Sequence, residues 1–199
     1  MRFAPDAIAE WVKRARETGR LDALRQGEEA DARRFGRPVK NQGAAYWALH
    51  SLSHALMSDL SLRSGYPLSS LKERIYASPD GATRRYGLLI YTATAGGQGT
   101  LGGLSRAARL IPALLDDMAA RLEVCSNDPV CGDHRPGGAH DDRPLHGAAC
   151  HACLLVPETS CEARNGRLDR ELLVNEDGWG LLQPRVGVGE PMPDFERSA

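Results

Sequence analysis

Apolar positions along this chain recur with a helical period over three stretches and run together in one short block, and that pattern sets out the elements. Over residues 5–18, Ile8, Trp11, Val12 and Ala15 fall at i, i+3, i+4 and i+7, with Gly19 as a stop, which predicts an amphipathic helix. Residues 20–37 are dense in charge, with Leu21, Leu24 and Phe35 as the main apolar anchors; a short solvated helix and a loop are expected there. Tyr46, Leu49, Leu52, Ser53, Leu56 and Leu60 mark the clearest helix, over residues 42–63, broken by Gly65-Tyr66-Pro67. Ser69 or Ser70 is placed to cap a short turn through Glu73, followed by an extended segment at 74–77 and a turn at 78–81. Residues 85–93 are apolar and bounded by breakers, the signature of a buried strand. A long helix is predicted over 104–124, with Leu104, Ala107, Ala108, Ile111, Leu114, Leu115, Met118 and Leu122 on a broad stripe and Pro112 positioned to kink or split it. Residues 132–147 read as a polar loop. A turn from Asn165 leads into a short helix, and Trp179, Leu181 and Leu182 are expected to dock once before an irregular tail beyond Pro184.

The fold class that follows is α+β, mainly helical with a small β-sheet and a C-terminal lobe. The organisation expected is an N-terminal helical extension over residues 1–40, a main domain over 41–175 and a mostly irregular tail over 176–199.

All five cysteines lie within residues 125–161. Cys125-Ser-Asn-Asp-Pro-Val-Cys131 is followed by Cys150-His-Ala-Cys153, a C-x-x-C knuckle of the kind that turns two thiolates toward one tetrahedral metal, and then by Cys161. Two spaced pairs point to a four-cysteine zinc site made of Cys125, Cys131, Cys150 and Cys153, with Cys161 as an alternate ligand. The competing readings are disulfides and redox chemistry. The first residues lack the apolar core of a signal peptide, which argues against an oxidising compartment and for a cytoplasmic protein. The C-x-x-C pair also lacks the strand-to-helix context of a thioredoxin-like motif. Four thiolates leave no open position on a metal, so such a site is structural.

Three further features bear on chemistry. His50 and His54 sit at i, i+4 on the predicted helix, but the sequence reads H-S-L-S-H, without the glutamate of a metalloprotease motif and with no third ligand nearby. Hydrogen-bonded histidines in or beside the core are the better reading. Gly97, Gly99 and Gly102 satisfy G-x-G-x-x-G between a strand and a helix; a tight turn is the plainer account, and a cradle for a DNA phosphate the sharper one. No G-K-[ST] follows, so ATP hydrolysis is not expected. His134, His140 and His146 lie in the polar loop, and His151 within the knuckle.

Composition narrows the function classes. Apolar content of 42% and charged content of 26% suit a globular domain, and the net charge of −1 exerts no global pull toward nucleic acid. Any DNA contact must come from a local patch or through a partner. Arg33, Arg34, Arg37, Arg106 and Arg109 are the candidates by charge and placement.

The run Ala-Cys150-His-Ala-Cys153-Leu-Leu-Val-Pro-Glu-Thr-Ser-Cys161-Glu-Ala-Arg-Asn-Gly-Arg-Leu-Asp-Arg170 resembles the C-terminal region of DrmB, a component of the DISARM anti-phage defence system. His50-Ser-Leu-Ser-His54, Gly65-Tyr66, Glu73-Arg-Ile-Tyr76, Leu89-Ile-Tyr-Thr-Ala93 and Gly99-Thr-Leu-Gly-Gly-Leu104 agree in the same order. The resemblance implies a zinc-binding domain related to the one at the end of MrfA-type helicases. It also implies a non-catalytic partner of a separate, DrmA-like helicase, reaching DNA through the complex. A nuclease or hydrolase, or a stand-alone DNA-binding regulator, are the alternatives; Asp116 and Asp117 with His50 and His54 make no known catalytic set.

Overall fold

The computed structural model describes residues 1–77, 84–92, 103–137 and 141–183. The glycine-rich loop at 97–102, the turn at 78–81, His140 and the tail beyond Gln183 lie outside the described residues.

Helix α3 (Gly43–Ser64) is the axis of the molecule. It is apolar on nearly every face, so it is covered from all sides rather than along one stripe. Gly65, in the left-handed region at φ 71°, ends it. Helix α1 (Pro5–Arg16) buries Ile8, Trp11 and Ala15 as its spacing predicts, with proline at the first turn.

Residues 20–37 depart from expectation. They form a full helix, α2 (Arg20–Phe35), which buries Arg20, Leu24, Gly27, Glu28, Asp31 and Ala32. Its inward face is charged; long-range ion pairs satisfy Arg20 and Glu28, and Arg37 satisfies Asp31, so apolar periodicity could not reveal it. Leu24 packs with Trp11, Trp47, Leu172 and Trp179, which joins both N-terminal helices to α3 and to the far end of the chain.

Three antiparallel strands form the sheet in the order β1-β3-β2. They are β1 (Arg2–Phe3), β2 (Leu71–Ala77) and β3 (Tyr86–Thr92), with Leu71 opposite Thr92 and Ala77 opposite Tyr86. Strand β2 begins three residues earlier than expected; the turn before it is a 3-10 segment at Leu68–Ser70. Along β2, Leu71, Glu73 and Ile75 face the core against α3, while Lys72, Arg74 and Tyr76 face outward.

The long predicted helix is split, as Pro112 allows. Helix α4 (Gly103–Ala107) passes through a 3-10 turn into α5 (Ile111–Leu122), with Pro112 in the first turn of α5. Helix α5 packs Leu114, Leu115, Met118 and Leu122 inward and delivers the chain to Cys125. The C-terminal lobe has little regular structure: 3-10 turns at Glu158–Ser160 and Arg170–Leu172 and a single bridge between His146 and Leu168. Trp179 and Leu182 are buried, as expected of a docking segment.

Candidate metal centre

Four thiols converge at the end of α5. The Sγ atoms of Cys125 and Cys150 are 3.4 Å apart, those of Cys131 and Cys153 3.7 Å, and those of Cys150 and Cys153 3.8 Å. All four lie within 4.8 Å of one another. A disulfide needs about 2.05 Å, whereas thiolates on one tetrahedral zinc at about 2.3 Å sit roughly 3.8 Å apart. The spacing is that of a metal cage.

The local chain folds to make it. At the knuckle the Cys153 and Leu154 amides both donate to the Cys150 carbonyl, closing the turn that brings the two sulfurs together. In the first pair, the Asp128 carboxylate accepts the amides of Cys125 and Gly132. Arg170 clamps this loop: its guanidinium donates to both Asp128 oxygens at 2.7 and 2.9 Å and to the Leu122 and Glu123 carbonyls at the end of α5. A hydrogen bond from Cys131 holds the Cys153 thiol down at about 6 against the effect of burial, while burial pushes Cys125 up to about 11.

Cys161 stands apart from this cage. Its sulfur lies 3.1 Å from Nε2 of His50, in a second and wholly buried group with His54 and Glu73. One Glu73 oxygen, Oε1, meets Nε2 of His50 at 2.9 Å and Nε2 of His54 at 3.2 Å; the other, Oε2, has no hydrogen-bond partner. The opposite ring nitrogens face backbone: Nδ1 of His50 is 3.2 Å from the Arg167 carbonyl, and Nδ1 of His54 is 2.9 Å from that of Leu154. Burial opposes a charge on His50, yet its contacts with Cys161 and Glu73 outweigh it and push the pKa up to about 10. Burial likewise opposes ionisation of Glu73, but the two rings hold its carboxyl well below the usual carboxylate range. The histidines of H-S-L-S-H are thus hydrogen-bonded in the core, as expected. The two groups that join them come from 19 to 111 residues away.

With both clusters defined, comparison with known proteins becomes informative. The profile of MZB, the MrfA Zn-binding domain, matches residues 52–154, just over half of the chain. The chain belongs to the MrfA zinc-binding domain family. It is also 42% identical over 132 residues to the DISARM protein DrmB of Bacillus paralicheniformis. That alignment covers 65% of this chain and 22% of DrmB, so the chain spans about a fifth of the length of this relative.

Zinc is the cofactor, and the residues fit it. Cys125, Cys131, Cys150 and Cys153 all fall inside the matched stretch and could hold the ion with the soft, four-coordinate donor set that zinc favours. Four thiolates on one divalent ion leave a surplus negative charge. The Arg170 guanidinium, held on Asp128 beside the cage, would offset part of it. A cage closed by four sulfurs has no position for water or substrate.

The remaining sequence candidates scatter. His151 is exposed, and His134 faces Asp141 at 3.7 Å, away from the sulfurs. Asp116 and Asp117 are exposed on α5, Asp117 paired with Arg63, far in character from the buried histidines. Arg34 and Arg37 meet Lys40, Arg74, Arg143 and Arg164 along an open groove of about 1140 Å³. Arg33 is exposed on α2 but does not line it; Arg106 and Arg109 lie on the exposed side of α4 and the turn after it. The sequence missed Glu73. Once β2 is seen to start at Leu71, strict alternation puts a carboxylate between Leu71 and Ile75 on the apolar face, and that is a readable signal.

Proposed function

We propose that this chain is a non-catalytic zinc module of a DNA-processing anti-phage defence complex. In this reading Cys125, Cys131, Cys150 and Cys153 hold the metal, and the module works beside a separate, DrmA-like helicase. The observation that carries it is the 42% identity to the DISARM protein DrmB. The chemistry supports a structural role: a closed thiolate cage offers no site for hydrolysis, and the sequence contains no G-K-[ST] for nucleotide phosphates.

Two surfaces supply contacts. The groove beside α2 carries Arg34, Lys40, Arg143 and Arg164, none with an ion-pair partner among the described residues. Phe35, 60% exposed, lies at this groove under the guanidiniums of Arg34 and Arg37, at 5.6 and 4.8 Å from the ring centre. An exposed ring among cations is a stacking platform for an unpaired base beside a track for its phosphates. The outward face of the sheet exposes Tyr76, Leu89 and Tyr91, a surface for a protein partner.

The test joins both. Wild-type chain is expected to co-purify with the helicase and to bind single-stranded DNA. Leu89→Asp should abolish co-purification, while Phe35→Ala with Arg34→Ala should weaken DNA binding about tenfold and flatten its salt dependence. Unchanged DNA affinity and salt slope in the second variant would remove the groove from the proposal. Failure of the wild type to capture the helicase would remove the partnership.

A further inference from the structure

We propose that His50, His54, Glu73 and Cys161 form a second zinc site, fully buried and distinct from the four-cysteine centre. The inference does not rest on the ligand assignment of that centre. His50 and Cys161 fall outside the stretch that the MZB profile matches, whereas all four cysteines of the cage fall inside it.

Four observations converge. The first is orientation. Each imidazole has Nδ1 against a backbone carbonyl, so Nδ1 carries the proton and donates it, which leaves a lone pair on Nε2 in the neutral ring. Both Nε2 atoms then point at one place. This is how a protein fixes metal-binding histidines: the far nitrogen is tied to backbone and the near one is bare.

The second is the thiol. Cys161 Sγ accepts the amides of Ala163 and Asn165 at 3.3 and 3.2 Å, an arrangement that stabilises a thiolate. The third is the orphan. Glu73 Oε2 is buried without a partner, which is costly unless something else satisfies it. The fourth is spacing. The four donor atoms lie within 4.8 Å of one another, with the closest contacts at 2.9 to 3.2 Å. Tetrahedral zinc with these donors wants edges of about 3.3–3.8 Å, so the cluster need open only by a few tenths of an ångström.

Either occupant leaves the site electrically balanced: two imidazolium rings, or Zn2+ with two neutral rings, against one carboxylate and one thiolate. The metal form removes what the proton form leaves in place, two imidazolium groups 4.5 Å apart in a buried site and a Glu73 oxygen without a partner. Two imidazoles, a carboxylate and a thiolate are borderline donors that suit zinc, and with four protein donors the tetrahedral shell is complete. The site is structural. It fastens α3, β2 and the segment after Cys161 at one point.

The test is zinc content of the whole purified chain together with zinc K-edge absorption, which separates sulfur from nitrogen and oxygen ligands. We expect about two equivalents of zinc per chain with mixed ligation, and about one equivalent with all-sulfur ligation in His54→Gln and in Cys161→Ser. One equivalent bound only by sulfur in the wild type overturns the inference and leaves the four-cysteine reading standing. One equivalent with nitrogen and oxygen ligands supports the inference and removes the four-cysteine reading. No zinc overturns both. Should the variants not fold, the wild-type stoichiometry and ligation decide; variants that fold and keep two equivalents overturn it.

Discussion

Arg20 shows how much of this molecule depends on single residues that look ordinary in the sequence. It opens a run of charges and reads as a surface group, yet it is 1% exposed. Its guanidinium forms a two-pronged pair with Asp169, at 2.7 and 2.9 Å across 149 positions of sequence. Asp169 also accepts the Ala148 and Glu171 amides, and its own amide donates to Ser51 on α3. Arg20→Ala strands that carboxylate in the core, and chemical denaturation should register a loss of about 3–5 kcal/mol. A surface-sized loss of well under 1 kcal/mol would contradict the assigned role. No local pattern could have announced this pair, because its information is entirely tertiary. The zinc cage differs: C-x5-C and C-x-x-C are local, so Cys125, Cys131, Cys150 and Cys153 were legible as a group. Cys161 was legible as a cysteine but not as a neighbour of His50, which lies 111 residues away.

At the scale of elements, legibility followed the apolar period. Helices α1 and α3 and the proline break between α4 and α5 were readable because leucines, alanines and a proline mark them. Helix α2 reads as short and solvated because its buried face carries Arg20, Glu28 and Asp31, and the partners of the first two, Asp169 and Arg167, are remote. Its close approach to the loop at 141–147 turns on Gly27. A Cβ there would overlap the Pro144 carbonyl oxygen and crowd the Pro136 ring. In an isolated helix Gly→Ala gains about 1 kcal/mol, but overpacking typically costs about 1–3 kcal/mol. Gly27→Ala is therefore expected to lower the thermal midpoint despite its better helix propensity. A raised midpoint would show that the loop yields freely.

For the whole molecule, metal in the four-cysteine centre would supply folding free energy to a lobe that has few backbone ladders of its own. Only 3-10 turns and one bridge support residues 141–183. Chelation should release amide protection across that lobe and the loop of Cys125 to Cys131 first, with the middle of α3 exchanging last. Simultaneous loss of protection everywhere would mean that lobe and core form one cooperative unit. Among the described residues no helix is long and apolar enough to cross a membrane.

The bond between Arg20 and Asp169 also carries a consequence for biosynthesis. The ribosome makes Asp169 149 residues after Arg20, so over that interval the N-terminal helices have nowhere to set their buried cation. Until Asp169, Leu172 and Trp179 emerge, Leu24 and the tryptophans at 11 and 47 lack part of their cover. Cells short of holding chaperones should yield aggregated, protease-sensitive product even when zinc is plentiful.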